Sequence, residues 1–307
     1  MKAPDFAYLR PGSLDEALAL LAADADAIPL AGGQSLLASL NMRLSAPSAL
    51  VDIGRLAELR GIELTEDGVV RIGALTRHVE LLGSPLVAEH LPLVAAAMHH
   101  VAHAAVRNRG TIGGSLANAD PAAELPACML ALGAEVVLAS PSGWRSVPAT
   151  RFFRGIFETD RAPGELIVEI RVRPQSPRQR WTFLELARRR GDFAMIGLAG
   201  VLDLADATPS AAEFVFFGAS QPPTRARSLA AAILGQAFPP ATGGWIEDAV
   251  GADLDRVDAP GLRADTKLRL AAVLARRALA QLSHPPAGLL AACGPPGRSP
   301  HAGARPA

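Results

Sequence analysis

Val106-Arg-Asn-Arg-Gly-Thr-Ile-Gly-Gly-Ser-Leu-Ala-Asn-Ala-Asp-Pro-Ala-Ala-Glu-Leu-Pro126 is the stretch around which the chain is organised. Its Gly113 and Gly114 can take φ > 0 and let a ligand approach bare backbone. Consecutive N–H groups in such a turn make a concavity for an anion. Thr111 and Ser115 place hydroxyls beside the pair, and Asn118, Asp120 and Glu124 offer acceptors for sugar hydroxyls. Upstream stands a second loop of the same kind, Ala31-Gly-Gly-Gln-Ser35. Alone, each loop reads as an ordinary turn; two of them meeting at one diphosphate would account for both. Neither matches G-x-G-x-x-G opening a helix, nor G-x-x-x-x-G-K-[ST].

Taken together, the loops and their neighbours resemble one family: the FAD-binding medium subunit of the molybdenum hydroxylases, the xanthine dehydrogenase and carbon monoxide dehydrogenase group. The resemblance is carried by Pro29-Leu-Ala-Gly-Gly-Gln-Ser35, Ile72-Gly-Ala-Leu-Thr76, Arg107-Asn-Arg-Gly-Thr-Ile-Gly-Gly-Ser115, Ala119-Asp-Pro-Ala-Ala-Glu-Leu-Pro126 and Arg188-Arg-Arg-Gly-Asp-Phe-Ala194, in the family's order. It runs from Phe6 to about Leu282. It implies an α+β protein: a two-lobed FAD-binding domain of the vanillyl-alcohol oxidase (PCMH) type, then a C-terminal α+β domain with a three-stranded sheet and helices. It implies FAD contacts at Ala31, Gly32, Gly33, Gln34, Ser35, Leu36, Ala74, Gly110, Thr111, Ile112, Gly113, Gly114, Ser115, Asn118 and Glu124. It puts Leu166 and Ile167 on the adenine side and Phe193 beside the flavin ring; Asp120 joins the set as a hydrogen-bond acceptor. It also implies partner chains, a small iron–sulfur subunit with 2Fe–2S clusters and a large molybdenum–pterin subunit, arranged as a dimer of heterotrimers. Electrons would pass from molybdenum through the clusters to this FAD and on to an external acceptor. Some relatives carry a lysine near positions 184–185, where this chain has Leu184 and Glu185, which changes the expected tuning of the flavin.

Composition agrees with a globular protein. Of 307 residues, half are hydrophobic and a fifth charged, and thirty basic residues balance thirty acidic ones. That balance offers no electrostatic handle for nucleic acid. No apolar run is long enough for a membrane span, and the N-terminus lacks a signal-peptide core, so a cytoplasmic protein is expected. Two cysteines make neither a four-cysteine iron–sulfur site nor a disulfide framework. Cys128 reads as a small core residue, and Cys293 lies in a Gly/Pro-rich tail.

Three units follow from the patterning. Residues 1–57 read as a small α/β lobe. Ser13 caps a helix with Glu16 completing a capping box. A strand over 27–30 delivers the first glycine loop, a short helix over 35–42 presents its N-terminus to a phosphate, and 49–53 is a strand. Residues 58–175 form a second α/β lobe. It has strands over 62–64 and 69–75 joined at Glu66-Asp67-Gly68, Thr76 as a helix cap, and a helix over 91–105. The central loop comes next, followed by a helix over 122–132 and strands over 135–139 and 165–172. Residues 178–284 form an α+β unit, with strands over 180–186, 195–204 and 212–218 and helices near 228–234 and 266–282. Residues 285–307, without acidic residues or periodicity, read as a disordered tail.

Other polar residues carry weaker expectations. His99 and His103, at i and i+4 of the expected helix, share a face, but further metal ligands are lacking, so no metal site is expected. His78 reads as a surface residue. Arg188, Arg189 and Arg190 read as a solvated or docking face, and Arg107 and Arg109 as braces of the central loop. No nucleophile constellation is present, so no catalytic side chain is assigned. Two alternatives stand beside the relay: a stand-alone flavin-dependent oxidoreductase, and a non-enzymatic scaffold with a vestigial flavin fold.

Overall fold

Ile28–Leu30 is too short to hold itself as a strand, and it pairs in parallel with Ala49–Asp52, which pairs in parallel with Ala7–Leu9. The computed structural model describes residues 2–206, 208–218, 222–235, 237, 244–258 and 261–283. Helix Leu14–Ala23 covers the three-stranded sheet with Ala17, Leu18 and Leu21. Its cap is as expected on one side, since Glu16 N–H donates to Ser13 Oγ at 3.2 Å; the Glu16 carboxylate, however, accepts from Gly12 N–H at 2.7 Å. The first glycine loop leaves the carboxyl end of Ile28–Leu30, the end of a parallel strand at which ligands collect in open α/β sheets.

The next sheet is antiparallel, with strands in the order Ile62–Leu64, Val70–Gly73, Leu166–Val172, Glu135–Ser140, Gly143–Pro148. Its central strand is buried on both faces, which explains its unbroken apolar run. Leu166 and Val168 pack toward the N-terminal lobe, Ile167, Ile170 and Val172 toward the larger core. Thr76 does not cap a helix. Its hydroxyl donates to the Gly61 carbonyl at 3.0 Å, and helix His78–Gly83 starts behind Arg77, whose N–H donates to Glu80 at 2.7 Å.

The helix expected over 91–105 is broken. Pro92–Met98 is helical, Ala102 takes φ 43°, and a single turn, Ala104–Arg107, restarts with His103 at its N-cap. No Gly or Pro marks the break in the sequence. The stop is held by a side chain: Arg107 Nη1 donates back to the carbonyls of Val101 and Ala102 at 2.8 and 2.7 Å, replacing helical partners. His99 and His103 therefore lie on different elements and share no helix face.

The C-terminal sheet runs Gln179–Ala187, Ala194–Ala205, Thr208–Gly218 and a two-residue fourth strand, Thr224–Arg225. Ile196, Leu198, Leu202, Phe214 and Phe216 face the helices Arg227–Ala231, Trp245–Asp253 and Ala264–Ser283. The alternate residues Ala199, Val201, Val215 and Phe217 face the core of the preceding lobe. Period-two alternation with both faces buried thus locks this sheet to the rest of the molecule. The tail and Cys293 lie outside the described residues.

Candidate functional site

The two glycine loops touch. A Cβ at Gly32 would lie 2.3 Å from the Arg109 carbonyl oxygen and 2.9 Å from Gly110 Cα, so only glycine permits this approach. They meet in a cleft of about 1280 Å³, above the roughly 300–1,000 Å³ of ordinary small-ligand pockets. Ala31, Gly32, Gly33, Gln34, Ser35, Leu36, Ala74, Gly110, Thr111, Gly113, Gly114, Ser115, Asn118, Asp120, Glu124, Leu166, Ile167 and Phe193 all line it. Ile112 does not. Its side chain is fully buried in the core and its N–H donates to the Thr76 carbonyl at 3.0 Å.

The loops divide the work differently from the expectation. Gly113 and Gly114 form no turn; they are the second and third residues of helix Ile112–Asn118, and neither has positive φ. Their N–H groups are spent internally, Gly113 on the Ala74 carbonyl at 2.9 Å and Gly114 on Thr111 Oγ1 at 3.1 Å. Glycine is required at 113 for packing: a Cβ there would sit 2.6 Å from Ala74 Cβ. The free donors are on the first loop. Among the described residues nothing accepts from the N–H groups of Gly32, Gly33, Gln34, Ser35 or Leu36, and Gly33 holds φ 72°, the left-handed conformation that gathers successive N–H groups into a nest. Gly32, Gly33 and Leu36 are half-buried and Gln34 and Ser35 exposed, so the row stands open to a ligand in the cleft.

A family model described as the FAD binding domain in molybdopterin dehydrogenase matches residues 4–175, more than half of the chain. The chain belongs to this family. A second model, the CO dehydrogenase flavoprotein C-terminal domain, matches residues 181–282. Among relatives, the glyceraldehyde dehydrogenase medium chain of Sulfolobus acidocaldarius is 38% identical over 236 residues, 77% of this chain and 83% of that protein. The caffeine dehydrogenase subunit beta of a Pseudomonas species is 35% identical over 92% of this chain and 96% of its own length. A solved carbon monoxide dehydrogenase from Hydrogenophaga pseudoflava superposes with a TM-score of 0.87 at 39% identity, covering 92% of this chain and 98% of that one.

Glu124 and Asp120 make part of the cleft wall polar and withdrawn from solvent. Burial, reinforced by Glu185 and Asp120, pushes the Glu124 carboxyl up to about 8. Burial also raises Asp120, although Ala122 N–H donates to its Oδ1 at 2.9 Å. His78 is a correction to its expected place at the surface. It is 6% exposed, lines the cleft under Gly110, and has no partner for either ring nitrogen among the described residues. Burial pulls its pKa down to about 4, so it is neutral at pH 7.

Sequence reasoning missed two further lining residues. Arg161 donates from Nη1 to the Glu165 carbonyl at 3.0 Å while its buried Nε has no partner, and desolvation lowers its pKa. Phe157 takes φ 57° and stands 59% exposed at the rim, its N–H donating to the Ala119 carbonyl at 3.1 Å. A bulky aromatic at positive φ is uncommon and points to a site, but no residue pattern around 157 or 161 signals it. Phe193, 73% exposed, stands at the same rim. Arg107 is a brace, as described above. Arg188 lines the cleft close to Gly261, so the Arg188–Arg190 run is not wholly a solvated face. Among the described residues no group of three or more His, Cys, Asp or Glu is placed to hold a metal ion, and no helix is long and apolar enough to cross a membrane.

Proposed function

We propose that this chain is the FAD-binding electron-transfer subunit of a multi-subunit molybdenum hydroxylase. The observation that carries the reading is the row of five unpaired N–H groups at residues 32–36, with Gly32 in contact with the second glycine loop, in a cleft of about 1280 Å³. That cradle fits a diphosphate joining two flat ring systems. Bound there, FAD supplies redox chemistry that no side chain of this chain offers.

The chain's own residues then bind, orient and exclude water. N–H groups of Gly32, Gly33, Gln34, Ser35 and Leu36 receive phosphate oxygens. Thr111 Oγ1 already accepts from Gly114, so its own hydrogen is left to donate, and Ser115 adds a second hydroxyl. Asn118, Asp120 and Glu124 meet sugar and ribityl hydroxyls. Ala74, Leu166 and Ile167 make the apolar wall on the adenine side, and Phe193 and Phe157 shield the ring side. Residues 1–57 and 58–175 form the two lobes of the clasp, and residues 178–284 cover it. Its partners are a small subunit with 2Fe–2S clusters and a large molybdenum–pterin subunit, in a dimer of heterotrimers in the cytoplasm.

The test is a visible absorption spectrum of the protein, expressed alone and with its partner chains, for wild type and Gly114→Asp. A Cβ at position 114 would meet Thr111 Oγ1 at 2.9 Å, and the carboxylate would bring negative charge to the cleft that Gly114 lines. Flavin bands in wild type that vanish in the variant are expected. A colourless wild-type complex, or a variant that keeps its flavin, would overturn the assignment.

A further inference from the structure

One cation of the cleft is only partly used. Arg161 is half-buried and lines the cleft together with Leu166 and Ile167. Its Nη1 donates to the Glu165 carbonyl at 3.0 Å. Its Nε is enclosed without a partner, and Nη2 meets no acceptor among the described residues. Most donors of the guanidinium fork therefore stand unused. Glu165 lies within electrostatic range, but its carboxylate is committed elsewhere. Its Oε1 accepts from Arg145 Nε at 2.6 Å, and its Oε2 accepts from Arg145 Nη2 and from Ala162 N–H, each at 2.7 Å. Arg161 is thus a cation withdrawn from water without a bonded counter-charge, a state that is costly unless something else meets it.

The segment that carries Arg161 is held in advance. Besides Glu165 at its far end, Arg145 bonds Asp160 at its near end, from Nη1 to Oδ2 at 2.8 Å and from Nη2 to the carbonyl at 2.6 Å. Gly164, at φ 80°, seats the turn against the N-terminal lobe, where a Cβ would stand 3.5 Å from Ala22 Cα. Backbone pairing then fixes where along the cleft the fork stands. Ala74 N–H donates to the Val168 carbonyl at 3.0 Å, and Gly113 N–H donates to the Ala74 carbonyl at 2.9 Å, so the second glycine loop meets the strand Leu166–Val172 at Val168. The Arg161 guanidinium is bonded upstream of that point, at Glu165, about 10 Å away along an extended chain at roughly 3.3 Å per residue. Leu166 and Ile167 lie between the two. That separation exceeds a hydrogen bond, so the fork and the glycine loop meet different parts of one ligand.

We propose that the Arg161 guanidinium binds the adenosine half of the dinucleotide and is the polar determinant of that end of the cleft. The proposal rests on the FAD reading above, with Leu166 and Ile167 as the adenine-side wall. Those two side chains have no polar atom, so they supply shape and apolar contact alone. Adenosine offers ring nitrogens and ribose hydroxyls as acceptors, and a flat π face. A planar guanidinium suits both, since it donates in its plane and stacks across it. Because Arg145 already holds both ends of the segment, little further ordering is needed when the ligand arrives.

The experiment is calorimetric titration of the flavin-free full chain, with its partner chains present, by FAD, ADP and pyrophosphate. Wild type is compared with Arg161→Met, which keeps an unbranched apolar stem, and urea unfolding of both is measured alongside. We expect Kd for FAD and for ADP to rise by the same factor, about 10- to 100-fold, as for loss of one hydrogen bond from a charged group. An FAD affinity within threefold of wild type would overturn the assignment. So would a weakened FAD with ADP unchanged, which would move Arg161 to the flavin half. A fall in pyrophosphate binding as large as that for ADP would move it to the diphosphate and overturn it too. If Arg161→Met does not fold, Arg161→Lys decides by the same comparison, since it keeps charge and stem but loses the planar fork. A wild type that binds neither FAD nor ADP would overturn the FAD reading itself, which separates the two failures.

Discussion

Gly32→Ala is the sharpest perturbation the cleft offers. The added methyl would stand 2.3 Å from the Arg109 carbonyl oxygen and 2.9 Å from Arg109 C and Gly110 Cα, all of them backbone, so no side chain can swing aside. Ordinary contact begins near 3.4 Å, and the loops must part by about 1 Å to reach it. That distance is enough to take hydrogen bonds of normal length out of range. Bonds to a charged group are worth about 1.5–3 kcal/mol each, so losing two costs about 3–6 kcal/mol, a rise in Kd of roughly 10²- to 10⁴-fold. Folding stability should fall by only about 1–3 kcal/mol, the usual cost of overpacking. The assay is titration of flavin-free protein with FAD, read by quenching of flavin fluorescence, beside urea unfolding of the same samples. Gly83→Ala is the control, because its Cβ would enter open space. An FAD affinity in Gly32→Ala within threefold of wild type would refute the idea that the touching loops form the diphosphate cradle.

Other consequences can be checked on the flavin-free protein. Glu124 keeps its proton in the folded chain up to about pH 8 but loses it near 4.5 when unfolded. The folded state therefore binds more protons between those values, and stability should fall as pH rises through that window. In Glu124→Gln, thermal melts from pH 5 to 8 should show a shallower fall. His78 works in the opposite sense. Its folded pKa near 4 lies below the ordinary 6.5, so its contribution is present above 6.5 and is lost as pH drops toward 4, up to about 3 kcal/mol. His78→Phe should flatten that acid limb, and an unchanged limb would show that the ring is hydrated. In the C-terminal sheet, Gly197→Ala drives a methyl to within 2.1 Å of the Phe217 ring. It should cost about 1–3 kcal/mol in urea unfolding, and Phe217→Leu added to it should recover part of the loss rather than deepen it.

Local pattern was enough for most elements because their signals are local. Ser13 with Glu16 marked a helix start, and the turn at Glu66-Asp67-Gly68 closed a hairpin, with Gly68 N–H donating to the Thr65 carbonyl at 2.9 Å. The alternating runs of residues 180–218 became strands in both faces of a buried sheet. Every candidate site residue except Ile112 lines the cleft. Residue order determined that much because glycine, hydroxyl and carboxylate positions in a loop are properties of the chain itself.

Tertiary structure decided what those positions do. Whether a glycine serves a turn or a close approach depends on what lies opposite: Ala74 against Gly113, and the Arg109 carbonyl against Gly32, both distant in sequence. The helix break at Val101 and Ala102 is made by an Arg107 side chain folding back, which no propensity registers. His78, an unremarkable polar residue in its own neighbourhood, becomes a neutral buried imidazole because the Gly110 backbone closes over it. Glu185 is pushed up to about 7 by burial that only the packed structure creates. Apart from the helix break, whose Arg107 lies only five and six residues away, the physical reason is common: burial and the identity of a nonlocal neighbour set donor availability and proton affinity.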